Sequence, residues 1–167
     1  MHSHDLFPMV REVIFCKKKS KLFLIDLNTQ IKDFIESQPE LKRRDVEMLH
    51  AEIQKLMPDA KLWFFDGRDE NGKIVANPQI GYGSQMIKYA DGKEKEFYQI
   101  GLSTNSTGIS VYIMGLKDKK YLPGTYSGTI GKASVTGYCI KFKKLQDINS
   151  EILMEAIQDG VKGTDPK

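Results

Sequence analysis

Residues 84–115 read "SQMIKYADGKEKEFYQIGLSTNSTGISVYIMG", and this run restricts the fold more than any other part of the chain. "SQMIKY" (84–89), "KEFYQIGLS" (95–103) and "GISVYIMG" (108–115) are rich in β-branched and aromatic residues, as strands are. Asp91-Gly92 between the first two is a hairpin signal, and "TNSTG" (104–108) supplies the next turn. Short connections of this kind join antiparallel neighbours, so the run predicts a meander. "KLWFF" (61–65) and "GYCIKF" (137–142) bring the expected strands to about five.

Helical periodicity flanks this β-rich centre. Ile31, Phe34 and Ile35 share one face of a short helix that Asn28 or Thr29 can cap and that ends before Pro39. From about Glu40 to Met57, Val46, Leu49, Ile53 and Leu56 recur at three- and four-residue steps, and Pro58 stops the helix. A last amphipathic helix carries Ile152, Leu153, Ala156 and Ile157 from about Asn149 to Gln158, with Gly160 expected to end it. The order predicts an α+β domain: an antiparallel sheet with two N-terminal helices and one C-terminal helix on one face. Residues 1–28 read as an arm, 29–160 as the domain and 161–167 as a tail.

At 167 residues and a net charge of +3, the chain is one ordinary domain without a strongly basic half. Residues 1–60 carry ten basic and ten acidic side chains, which argues against nucleic acid as the main partner. No run approaches the ~18 apolar residues of a spanning helix, so no membrane partner is expected. Arg11, Glu12 and Lys17–Lys19 interrupt the N-terminal apolar stretches, unlike a secretory signal. Cys16 and Cys139 form no CxxC, and reduced thiols in a cytoplasm are the expected state. "KKKSK" (17–21) reads as a solvated run, and "HSH" (2–4) lacks the further ligands a metal needs.

Several motif-like stretches fail on their chemistry. "DGRDENGKI" (66–74) has an EF-hand's middle, but Gly67 and Pro78 stand where calcium needs its first and last carboxylates, so it is a hairpin loop. "GTIGKAS" (128–134) puts Ala133 where a phosphate loop needs Ser or Thr. "GYGSQM" (81–86) has no third glycine and no following helix. Gly81 and Gly83 instead read as backbone devices at the start of a strand. Cys139 has no base beside it in sequence and reads as a packed strand residue. His50 lies beside the apolar stripe of its helix and reads as structural. No catalytic set emerges.

Strand alternation divides the sheet into two faces. Ile87, Tyr89, Tyr98, Ile100, Leu102, Ile109, Val111, Ile113, Ile140 and Phe142 are expected under the helices. The opposite set is Tyr82, Ser84, Met86, Lys88, Phe97, Gln99, Ser110, Tyr112, Met114, Cys139 and Lys141. That outer face reads either as half-solvated or covered, or as a pocket wall of apolar surface with a few directed polar groups. In the pocket reading, Tyr82, Met86, Lys88, Tyr112 and Lys141 bind the ligand. The two lysines favour an anion.

The Gly81–Gly83 turn, the hairpin Tyr89–Gly92, Gly101–Ser103 and Val111–Met114 occur in an order that resembles the YdhG-like domain of unknown function. Gly137–Cys139 with Lys143, Lys144 and Leu145 completes the pattern. The resemblance spans about residues 29–160 of this bacterial-type domain. It implies a compact α+β layout similar to frataxin, with an iron-chaperone label on some members. The chain departs from the pattern at Thr104-Asn105-Ser106, where basic residues are usual, and at Tyr138, where a lysine is common. The 40–57 helix mixes Glu40, Asp45, Glu47 and Glu52 with Lys42, Arg43, Arg44 and Lys55, so intrahelical pairing accounts for its carboxylates without metal. The leading expectation is a non-enzymatic, cytoplasmic small-ligand-binding domain without a cofactor. An iron carrier and a protein-interaction module, monomer or homodimer, are the alternatives.

Overall fold

The computed structural model describes residues 25–164. The expectations for "HSH", "KKKSK", Cys16 and most of the arm lie outside the described residues. Two helices open the fold, α1 (Leu27–Glu36) and α2 (Glu40–Leu56). Strands β1 (Leu62–Phe65), β2 (Gln79–Tyr82), β3 (Gln85–Lys88), β4 (Glu94–Phe97), β5 (Ile100–Asn105) and β6 (Gly108–Ile113) follow. Helix α3 (Tyr121–Tyr126), strands β7 (Ala133–Val135) and β8 (Cys139–Phe142), a 3-10 turn (Leu145–Asp147) and helix α4 (Ser150–Thr164) complete it.

The architecture is α+β. Six antiparallel strands form one sheet in the order β1-β2-β5-β6-β8-β7, and β3 and β4 form a separate two-stranded hairpin. Helix α1 begins at Leu27, two or three residues earlier than its capping residues predicted. Asp26 takes the N-cap position without a side-chain capping bond. The sheet's helix side carries Ile80, Tyr82, Ile100, Leu102, Ile109, Val111, Ile113, Ile140 and Phe142. They pack with Ile31, Phe34 and Ile35 of α1, Val46, Leu49 and Ile53 of α2, and Leu153, Ala156 and Ile157 of α4. Each aliphatic side chain so enclosed contributes about 1.5–3 kcal/mol.

The structure corrects the central strands. "KEFYQIGLS" is not one strand: it breaks at Tyr98-Gln99 into β4 and β5, which belong to different sheets. The break turns Tyr98 onto the face opposite Ile100. There its ring lies flat on Gly81 and Gly101, where an added Cβ would come within 2.6 and 2.7 Å of it. Tyr98 is therefore an outer-face residue. It is fully buried among Trp63 and Phe97, with Phe65, Ile87, Tyr112 and Met114 around them. Its hydroxyl donates to Gln79 Oε1 at 2.6 Å. Ile87 joins this outer cluster and Tyr89 is exposed, so neither lies under the helices.

Helix α4 also departs from expectation. It runs through Gly160 to Thr164, because Gly160 is a packing residue rather than a stop. A Cβ there would stand 2.3 Å from Ile113 Cγ2, so the missing side chain lets α4 lie close on β6. Among the described residues no helix is long and apolar enough to cross a membrane.

Candidate functional site

The five residues assigned to one pocket do not meet. Tyr82 precedes Gly83, whose φ of +78° turns the chain out of β2 and ends the alternation counted through it. Tyr82 pairs across the sheet with Ile100, faces the helices and is fully buried. Its hydroxyl lies 2.7 Å from His50 Nδ1 of α2. Burial pushes the Tyr82 hydroxyl far above its ordinary range and holds the His50 ring below its own. Both groups are thus held neutral, and the single hydrogen bond between them, its direction set by the imidazole tautomer, straps helix to sheet.

Met86 and Lys88 belong to the separate hairpin and point to solvent. Met86 is 57% exposed, and Lys88 pairs with Glu94 at 3.0 Å, its side chain 78% exposed. Tyr112 and Lys141 are on the outer face as expected, two residues apart in the ladder: Tyr112 opposes Cys139, and Ser110 opposes Lys141. Cys139 is 2% exposed and bonds with Ser110, and burial pushes its thiol up to about 11. A thiol so raised is not a nucleophile at neutral pH, in keeping with a packed strand residue.

Of the five, Lys141 lines the cleft at the β7–β8 corner of the sheet. This cleft, about 400 Å³, opens where the β5–β6 turn meets β7 and β8, and Lys132, Lys143, Ser110, Ser134, Asn105, Thr107 and Asp147 line it with Lys141. Register builds the arrangement. Ser110 of β6 and Ser134 of β7 both oppose Lys141 of β8, giving a hydroxyl–ammonium–hydroxyl row across three strands. Lys132 and Lys143 flank the next pair, Ala133 and Phe142, and carry the basic lining about one pleat further on. The 3-10 turn fastens this corner: Lys132 N–H donates to the Asp147 carbonyl at 3.0 Å, and Leu145 N–H to Asp45 Oδ2 at 2.9 Å. Gly108 lets the β5–β6 turn close on β8, because a Cβ there would sit 2.3 Å from the Phe142 carbonyl oxygen.

No carboxylate lies within ion-pair distance of Lys132, Lys141 or Lys143 among the described residues. Basic residues of α2 and just before β1 behave differently: Arg44–Glu40, Lys55–Glu52 and Lys61–Glu96 close at 2.7, 2.9 and 3.1 Å. Intrahelical pairing is thus realised for Glu40 and Glu52, while Asp45 instead accepts from Leu145 N–H. Among the described residues no three His, Cys, Asp or Glu side chains converge as a metal-holding group. Sequence reasoning missed Lys132 and Lys143. The alternation Lys141–Phe142–Lys143 was the signal for the second. The first depended on β7, a three-residue strand with no periodicity to read.

The chain matches no protein-family model, no curated protein and no solved structure. The YdhG-like resemblance therefore stands on its motifs alone.

Proposed function

We propose that the protein is a non-enzymatic domain that binds a small anionic molecule in the cleft of Lys132, Lys141 and Lys143. The observation that supports this reading is the convergence of two serine hydroxyls and three lysines that have no carboxylate partner among the described residues on one concave corner. A volume of about 400 Å³ falls in the usual range for small-molecule sites, roughly 300–1,000 Å³. The anionic preference expected from Lys88 and Lys141 is kept, but Lys132 and Lys143 replace Lys88. The protein's reduced chemistry also supports binding over catalysis: the thiol of Cys139 is held protonated, and His50 is tied to Tyr82 outside the cleft lining.

Thermal unfolding in the presence of small anions tests the reading. A ligand at 100 times its Kd stabilises the folded state by about 2.7 kcal/mol, so a bound anion raises Tm by several degrees. The K132Q/K141Q/K143Q protein is expected to lose that rise while unfolding normally without ligand. Equal rises in both proteins, or none with any anion at low ionic strength, would sink the proposal.

A further inference from the structure

We infer that the anion held in this cleft is a phosphate monoester group of a small soluble molecule, rather than a carboxylate; this rests on the binding reading above and narrows it. Three features of the lining carry the inference. First, the charged donors are lysine ammonium groups beside hydroxyls and the Asn105 amide, and among the described residues no arginine lines the cleft. Planar, two-oxygen recognition of a carboxylate is the task of the guanidinium fork, whereas lysine acts as a point charge that accepts any direction of approach. Second, the donors spread in two directions over one face of the sheet instead of forming a single pair. Ser110, Lys141 and Ser134 come from three successive strands, and Lys132 and Lys143 stand one pleat away. The three terminal oxygens of a monoester can each take donors from such a spread, while a carboxylate has two oxygens in one plane.

The third feature is charge. Lys132 and Lys143 flank the same cross-strand pair and meet Lys141 in one cleft, against the single carboxylate of Asp147. Like charges facing one another across strands repel by about 0.2–1 kcal/mol, and a dianion relieves more of that repulsion than a monoanion. The soluble source is favoured over a lipid headgroup by the surroundings. None of the large exposed apolar side chains among the described residues, such as Leu41, Met48, Ile74, Val75 and Met86, lies in the cleft lining, and the lining's own apolar residues Ile109, Ala133 and Phe142 are buried or half-buried, so they offer little to a membrane.

Isothermal titration of the full chain at low salt tests this with inorganic phosphate, glycerol phosphate and malonate, a carboxylate dianion of similar charge. Both phosphates are expected to bind at least tenfold tighter than malonate. K143Q is expected to weaken the phosphates by roughly tenfold, the loss of one charge-assisted contact. Malonate binding as tightly as phosphate would overturn the phosphate assignment and leave the anion cleft standing. Failure of all three anions, or binding unchanged in K132Q/K141Q/K143Q, would overturn the cleft as well. Co-sedimentation with phosphatidic acid vesicles, in the absence of glycerol phosphate binding, would overturn the soluble source.

Discussion

Tyr98 shows how one residue can redirect a strand. Its ring occupies the space over Gly81 and Gly101, and the chain bends at Gln99 to put it there. Gly81→Ala would drive a methyl into that ring from backbone that neighbouring strands hold in place. The expected cost is about 1–3 kcal/mol of stability, measured by urea unfolding, with an unchanged m-value. A neutral outcome would mean that Tyr98 does not pack as described. His50 makes a second residue-scale prediction. Burial holds its ring below the ordinary value of 6.5, so the unfolded chain takes up a proton that the folded protein resists. Stability from this residue is complete above about pH 6.5 and is lost as pH falls from there toward the depressed native value. His50→Gln should flatten that part of the stability–pH curve, and an unchanged slope between pH 5 and 7 would remove His50 as its cause. Neither effect was legible beforehand. The alternation rule carried Tyr82 and Tyr98 to the wrong faces, because it counted through Gly83 and Gln99 as though the chain stayed extended.

Elements with strong local signals were readable. The 3.6-residue stripes of α1 and α2, the Asp91-Gly92 hairpin and the turn at Asn105–Gly108 all appear where the residues place them. The short pieces were not. Strands β2 and β7 and helix α3 have three to six residues each, too few to show a period, and tertiary contacts decide them. Helix α4 is instructive because a residue that usually ends helices lies inside it. Gly160→Ala should gain about 1 kcal/mol of helix propensity and lose more to the collision with Ile113, for a net loss near 1–2 kcal/mol. If Gly160→Ala stabilises the protein in thermal unfolding, α4 does not lie as close to β6 as described. Helix α3 is held to α4 by Tyr121 and Tyr126, whose hydroxyls both donate to Asp159 Oδ2. These bonds help keep the Asp159 carboxyl below its ordinary value, against the opposing effect of burial. Asp159→Asn should therefore reduce stability at neutral pH, and the difference from wild type should shrink as pH falls below about 4. Urea unfolding at pH 7 and pH 3.5 measures both.

At the scale of the molecule, the sheet separates two kinds of chemistry. One face is an aliphatic core closed by α1, α2 and α4, and its residues were almost all assigned correctly from alternation in β5, β6 and β8. The other face grades from the aromatic cluster around Trp63, Phe97 and Tyr98 to the lysine corner at β8 and β7. Only part of that corner could be read in advance. Lys141 has a regular strand around it and Lys143 follows two residues on, whereas Lys132 and Ser134 arrive with β7, a short strand whose edge position no local pattern encodes. The account's central claim is that this corner is where the protein holds an anion. Titration of the isotopically labelled protein with phosphate, followed by backbone amide NMR, tests it most directly. The account predicts saturable shifts concentrated at Ser110, Ser134, Lys141, Lys143 and Lys132, weakened at high salt. Shifts confined to another surface, or spread evenly without saturation, would contradict it.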